Sequence, residues 1–328
     1  MTPLPKEKIS PIGRIRLIGL IGLITLLLLP RALHAQDLIL VVGAPGEPQF
    51  ATNFANQAKA WTQLAERSKT RLTTIGLDGP GTNDLALLHQ AITNLPPASA
   101  EPLYLVLIGH GTYDGREARF NLRGPDVTAT NLQEWLRPIT RPTAILNTAS
   151  ASAPFLKALA RTNRVILTAT RSGNEVNATR LGQSIAEAIQ DPKADLDQDG
   201  DLSLLELFLN ATARTGEFYK SEGRLASEHA LLDDNADALG TPADWFRGTR
   251  ATKKPSGSAA TDGLRTHQFI LVPGPDSARL TPEKKARRDE LELAIARLRE
   301  TRPTPPDDAY YAKLEVLLLE LARLTEAP

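Results

Sequence analysis

Asp195-Leu196-Asp197-Gln198-Asp199-Gly200-Asp201-Leu202-Ser203-Leu204-Leu205-Glu206 is the stretch whose residue types and spacing specify chemistry most closely. Side-chain oxygens recur at the first, third and fifth places through Asp195, Asp197 and Asp199. Gly200 stands sixth, where the chain must turn sharply. Asp201 stands seventh, where a backbone carbonyl serves, and Ser203 ninth, where a water often intervenes. Glu206 stands twelfth, where a carboxylate can offer both oxygens. Ca²⁺ takes an oxygen set of this kind, and carboxylates this close repel one another without a cation among them. The spacing predicts a Ca²⁺ site. Asp233, Asn235 and Asp237 repeat the first-third-fifth pattern as a weaker second site, with Ala238 in place of the turn glycine. An Asx-rich turn explains that run equally well. His110, between Gly109 and Gly111, is a further reactive group, because an imidazole exchanges a proton near neutral pH.

These groups need elements to place them. Leu103 to Ile108 is apolar without interruption and reads as a strand buried on both faces. It leaves His110 at its carboxyl end, where ligands of open α/β sheets gather. Asp37 to Gly43, Arg71 to Leu77, Pro142 to Asn147 and Val165 to Ala169 read as companion strands. Between them, Phe54, Ala58, Trp61, Leu64 and Ala65 mark a helix over Phe50 to Ser68. Further helices are expected over 82–95, 128–136 (capped by Thr130 or Asn131), 178–190, 203–215 and 222–232, the last carrying Glu228 and His229. The alternation predicts an α/β fold with a parallel sheet and right-handed crossovers. Pro192 leaves no room for a long helix entering the acidic loop, so a structural clip is expected and not an opening sensor. His267 to Val272 reads as a late strand at a sheet edge.

A strand ending in His-Gly, followed by one ending in small residues with a hydroxyl, resembles the caspase and legumain clan of cysteine peptidases. That resemblance implies a three-layer sandwich around a mostly parallel sheet over residues 37–275, with the acidic loop of EF-hand type (195–206) inserted. In the family the second strand runs into a Glu-Ala-Cys-Glu-Ser-Gly-like segment whose Cys is the nucleophile. Here Thr148-Ala149-Ser150-Ala151-Ser152 follows the strand; Ala149 matches the Ala, Ser152 the Ser, and Ser150 falls at the Cys position. The sequence has no cysteine, so thiolate chemistry is excluded. The resemblance further implies that Gly111 and Arg171 face a substrate, the latter from an Ala-Thr-Arg-Ser-Gly run that would wall the pocket. A loop arginine in a surface ion pair is the other reading of Arg171.

Composition narrows the classes. Lys+Arg and Asp+Glu are both 38, so no net field points to nucleic acid or acidic lipid. Zero Cys excludes disulfides and zinc-thiolate sites. Residues 1–35 have the layout of a secretory signal peptide: Lys6, Lys8, Arg14 and Arg16, an apolar core over Leu17 to Leu29, then Ala32-Leu33-His34-Ala35. Export to a periplasm or the medium is expected; membrane attachment would follow only from an uncleaved segment. Residues 280–326 carry two leucine stripes separated by Pro303-Thr304-Pro305-Pro306, an antiparallel helical hairpin that docks on the domain or on a second copy. Three functions fit these features. One is a catalytically inactive, calcium-bound peptidase homologue that binds a peptide or protein. Another is a serine hydrolase with Ser150 as nucleophile and His110 as base. The third is a structural envelope protein that works through the hairpin.

Overall fold

Uninterrupted apolar runs become the middle of one seven-stranded sheet. The computed structural model describes residues 36–79, 81–304 and 306–325; the expected signal segment lies outside them. In chain order the elements are β1 (Asp37–Val42), α1 (Pro48–Ser68), β2 (Arg71–Ile75), α2 (Asp84–Thr93) and β3 (Leu103–Ile108). A small sheet of β4 (Gly111–Tyr113), β5 (Ala118–Phe120) and β6 (Val127–Thr128) leads to α3 (Ala129–Leu136). Next come β7 (Thr143–Asn147), α4 (Ala153–Leu159), β8 (Arg164–Thr168), α5 (Leu181–Ile189), β9 (Leu202–Ser203) and α6 (Leu204–Ser221). Then follow β10 (Leu231–Asp233), β11 (Thr241–Pro242), β12 (Phe246–Arg247), β13 (Arg250–Ala251), α7 (Leu264–Gln268) and β14 (Ile270–Val272). The chain closes with α8 (Pro275–Arg279), α9 (Pro282–Glu300) and α10 (Asp308–Thr325).

The sheet order is β11-β10-β8-β7-β3-β1-β2. The strands from β8 to β2 run parallel, and β10 and β11 are antiparallel. This is the mostly parallel three-layer α/β plan expected from the sequence. Side-chain alternation along β1 explains the layers. Leu38, Leu40 and Val42 face one core with Phe54, Trp61 and Leu64 of α1, Ile185 and Ile189 of α5, and Phe208 of α6. Ile39 and Val41 face the other with Leu88 and Ile92 of α2, Leu132 and Leu136 of α3, and Phe155 and Leu159 of α4. Strands apolar on both faces can lie nowhere but the middle.

Four local expectations are corrected. The cap of α3 is Thr128, whose hydroxyl accepts from Asn131 N while the Asn131 side chain accepts from Thr128 N. The helix expected over 222–232 does not form. Helix α6 runs on to Ser221 and Gly223 turns the chain at φ 62°. The segment after it runs irregularly so that Glu228 accepts from Arg180 N and Leu181 N at the start of α5. A carboxylate there satisfies orphan N–H groups and meets the positive end of the helix. Helix α5 itself begins at Leu181 and not at 178. The late strand shortens to β14, because His267 belongs to α7, and it pairs with β9 instead of a central-sheet edge.

At the amino end of the sheet, Arg141 Nη1 donates to Asp37 Oδ2 at 2.6 Å, with both side chains buried. Its Nε and Nη2 donate to Glu101 O and Pro102 O. One guanidinium thus ties together the entries of β1, β3 and β7. Removing one partner of a buried ion pair leaves the other charge desolvated. Arg141→Met is expected to lower unfolding free energy by about 3 kcal/mol, the lower end of that range because Arg71 still pairs with Asp37. Urea denaturation followed by circular dichroism measures it; an unchanged midpoint would refute this role for Arg141.

Candidate functional site

The exits of β3 and β7 lie side by side, because those strands pair in parallel register from Leu103↔Thr143 to Leu107↔Asn147. That brings Gly109-His110-Gly111 next to Thr148-Ala149-Ser150. Ser150 Oγ donates to Gly111 O at 2.9 Å and accepts from Gly111 N at 3.1 Å. The hydroxyl is buried and used in both directions by one backbone residue. A Cβ at position 111 would run into the carbonyl of Ser150, so the approach requires glycine. Gly111 is therefore committed to Ser150 and presents no free amide to a ligand.

His110 points elsewhere. Its ring is met edge-on by Phe50 and Phe54, at centroid distances of 4.5 and 5.1 Å. Its Nε2 lies 3.3 Å from Pro45 O. A carbonyl only accepts, so Nε2 is assigned the proton and Nδ1 is left as the basic nitrogen. Among the described residues no hydrogen bond joins His110 to Ser150. Ser152 is structural: its Oγ accepts from Ala169 N and Thr170 N and pairs with Thr170 Oγ1, tying the exits of β7 and β8. Between the two serines, Ala151 sits buried at φ 52°. A non-glycine residue in the left-handed region costs about 1–2 kcal/mol, and such strain gathers where a site must be shaped. The N–H of Ala151 donates to Glu175 O, which holds it there.

A pocket of about 270 Å³ opens beside His110 between α1, α5 and the exit of β7. Asn53, Gln57, His110, Thr148, Arg180 and Gln183 give it a polar lining. Gln57 is 6% exposed, and its amide has no hydrogen-bond partner among the described residues. It reaches the pocket because Gly182 leaves room for it; a Cβ there would strike its Oε1. Arg180 lies with Cζ 3.9 Å over the Phe218 ring, and no ion pair of the described residues holds its guanidinium. The sequence reading missed both. Gln57 did carry a signal, being an amide on the apolar stripe between Phe54 and Trp61. Arg180 is placed by a contact with Phe218 that no local pattern announces. Arg171 pairs with Glu175 through Nε at 3.3 Å, is 62% exposed on its side chain, and lines a separate pocket of about 430 Å³ with Tyr219 and His229. Glu175 Oε1 also meets His229 Nδ1 at 2.6 Å, which ties the segment after α6 to the loop after β8.

Asp195, Asp197 and Asp199 each offer an oxygen such that all three lie within 4.8 Å, the one such group among the described residues. Asp195 Oδ1 is buried without a partner, while its Oδ2 accepts from Gly200 N. Asp197 Oδ2 meets His267 Nε2 at 2.9 Å. Burial, and then the neighbouring carboxylates, push Asp199 up, against the opposing N–H of Asp201. The Asp201 side chain turns away to Gly274 N and the Ser277 hydroxyl, which leaves only its carbonyl for the loop. Glu206 caps α6 through Ser203 with Oε2 and accepts from Leu196 N with Oε1 at 2.7 Å. As expected after Pro192, only a short 3₁₀ turn, Pro192–Ala194, enters the loop. Only oxygen donors converge here, with no thiolate or imidazole among the three, which fits a hard cation.

The second run folds as an Asx turn. Asp233 accepts from Ala236 N and Ala238 N, Asn235 Oδ1 from Asp237 N, and Asp237 Oδ1 from Leu239 N, with Asp237 Oδ2 buried and unpartnered. Ala236 and Ala238 both take positive φ, which supplies the bend without glycine. Behind it, Asp262 accepts from Asp234 N and from the Thr241 hydroxyl.

No family model matches the chain, and no curated protein matches it. Among solved structures it is similar to the Drosophila initiator caspase Dronc, at 13% identity over 61% of this chain and 78% of that one, with a TM-score of 0.41. It is similar also to caspase-1 from Spodoptera frugiperda, at 10% identity over 61% of this chain and 86% of that one, with a TM-score of 0.40. Values this low carry no residue's role across.

The buried Asp262 carboxyl gives a pH prediction. Burial, and then the Asp234 carboxylate, push it up to about 8. A carboxyl raised in the folded state stabilises the fold below its ordinary range and loses that contribution as pH rises through the folded value. Melting temperature should therefore fall as pH rises from about 4 to about 8 and level off above that, and Asp262→Asn should flatten that fall. A variant with the wild-type slope would contradict the assignment.

Proposed function

We propose that this chain is an exported, calcium-binding relative of the caspase and legumain peptidases that binds a peptide without cleaving it. The observation that carries the reading is the Ser150 hydroxyl, whose proton goes to Gly111 O and not to His110. A serine becomes a nucleophile when an adjacent base takes its proton. Here the position matching the family nucleophile is an alcohol bonded to backbone, and the sequence contains no thiol. Binding chemistry is left intact beside it. Arg180 and Gln57 line the pocket next to His110, and no ion pair of the described residues holds the Arg180 guanidinium. Together they suit a carboxylate side chain on a peptide: the fork of donors grips the two oxygens, and the amide adds a further donor. The strain held at Ala151 supports a shaped site at this edge.

Calcium is the second part of the reading. Asp195, Asp197, Asp199, the carbonyl of Asp201 and Glu206 would hold the ion. The ion would supply charge neutralisation and fix the loop between α5 and α6. Support comes from the three converging carboxylates and the buried, partnerless Asp195 Oδ1. The pattern of residues 1–35 supports export, and extracytoplasmic Ca²⁺ suits a site of modest affinity.

Two measurements test these parts separately. Pools of blocked pentapeptides carrying one Asp or Glu should bind in isothermal titration at least about ten times more tightly than the matching Asn/Gln pools. Arg180→Ala should remove the preference, and chromatography should recover every peptide uncut. Equal binding of both pools, or cleavage, would overturn the peptide reading. Adding Ca²⁺ at about 100 times its Kd to chelated protein should stabilise it by about 2.7 kcal/mol, a rise in Tm of several degrees. Asp195→Asn and Asp199→Asn should abolish that gain. A Tm indifferent to chelation would rule out the calcium site.

A further inference from the structure

Helix α10 is apolar on more than one side. Its less exposed positions are 310, 314, 317, 320, 321 and 324, one stripe at helical spacing that faces α9. At 3.6 residues per turn, Ala312, Val316 and Leu319 fall on the opposite side. Val316 is 64% exposed and Leu319 49%, with Tyr311 and Leu318 also open to solvent. An adjoining open groove between α9 and α10 is lined by Ala294, Leu298, Val316 and Leu317, with Arg297 and Lys313 at its rim. A contiguous exposed apolar face on a helix marks an interaction surface.

Charge placement says what covers it. Lys313 and Glu320 lie on one flank of this face. Among the described residues no ion pair holds Lys313, whereas Glu320 meets Arg287 at 2.7 Å. In two antiparallel copies of α10 centred between Val316 and Leu317, residue 313 of one lies beside residue 320 of the other. The two-fold axis makes that contact twice.

We propose that α10 pairs antiparallel with α10 of a second copy of this chain, burying Ala312, Val316 and Leu319 and bridging Lys313 to Glu320 of the other copy. The surface lies apart from the pocket at His110, so the pairing stands or falls independently of the peptide reading.

Sedimentation velocity of the purified chain tests the pairing between about 1 and about 100 µM, since a dimer declares itself by its concentration dependence. The proposal requires a dimer in that range. Val316→Glu with Leu319→Glu should weaken it at least about tenfold, with circular dichroism unchanged. Lys313→Glu, an exposed substitution that leaves the helix intact, should weaken it about threefold at low salt. Adding Glu320→Lys to Lys313→Glu should restore it. A monomer throughout the range overturns the proposal. So does a dimer indifferent to both the apolar and the charge substitutions, and so does one weakened by the apolar pair but unaffected by either charge change.

Discussion

Two hydrogen bonds between the Ser150 hydroxyl and the backbone of Gly111 close the carboxyl edge of the sheet. Each is an ordinary interaction worth about 1 kcal/mol net, but leaving a buried N–H and C=O without it would cost about 1–3 kcal/mol apiece. The contact needs a glycine at 111, a small hydroxyl at 150 and adjacent parallel strands to bring them together. All three are consequences of sequence: the apolar runs of β3 and β7 pair in register, and each ends where small residues let the backbones approach. Once the latch is closed, the hydroxyl has no proton to offer a base.

The rest of the edge follows from that closure. With Gly111 drawn onto Ser150, the preceding His110 is carried to the α1 side, between Phe50 and Phe54. There it borders the pocket that Arg180 and Gln57 enter from the helices. Ala151, next along the chain, absorbs the turn at φ 52° and is held by Glu175 O. Glu175 in turn occupies Arg171 and His229 with its carboxylate. The charged groups on the β8 side are thereby paired among themselves, whereas the Arg180 guanidinium, held by no ion pair of the described residues, lies over the Phe218 ring of α6. The acidic loop stands apart, anchoring α6 through the Ser203–Glu206 capping box and the Asp201 side chain to the turn before α8.

The layers and the principal strands were legible in the sequence because burial on both faces demands continuous apolar runs, and Leu103 to Ile108 meets that demand without exception. The acidic loop was legible because its geometry is local. What could not be read depends on contacts far apart in the chain. The segment after Ser221 has residues that a helix accepts, yet Glu228 is drawn to the start of α5, a partner absent from its own window. Arg171 and Arg180 are alike as loop arginines; only the position of Glu175 and the ring of Phe218 separate a paired cation from an open one. Gln57 was readable in principle, since an amide on a helix's core stripe needs a reason to be there.

The central claim is that Ser150 is a structural tie and not a nucleophile. Its most direct test is labelling of the purified chain, with Ca²⁺ present, by a broad fluorophosphonate that reacts with activated serines. Catalytically competent serine hydrolases of known activity serve as positive controls, and Ser150→Ala as the comparison. The claim predicts no labelling of either form, together with a loss of about 1–3 kcal/mol in the stability of Ser150→Ala from the unpaired Gly111 groups. Labelling of the wild-type chain that vanishes in Ser150→Ala would show that His110 or another base reaches the hydroxyl, and the chain would be a working serine hydrolase.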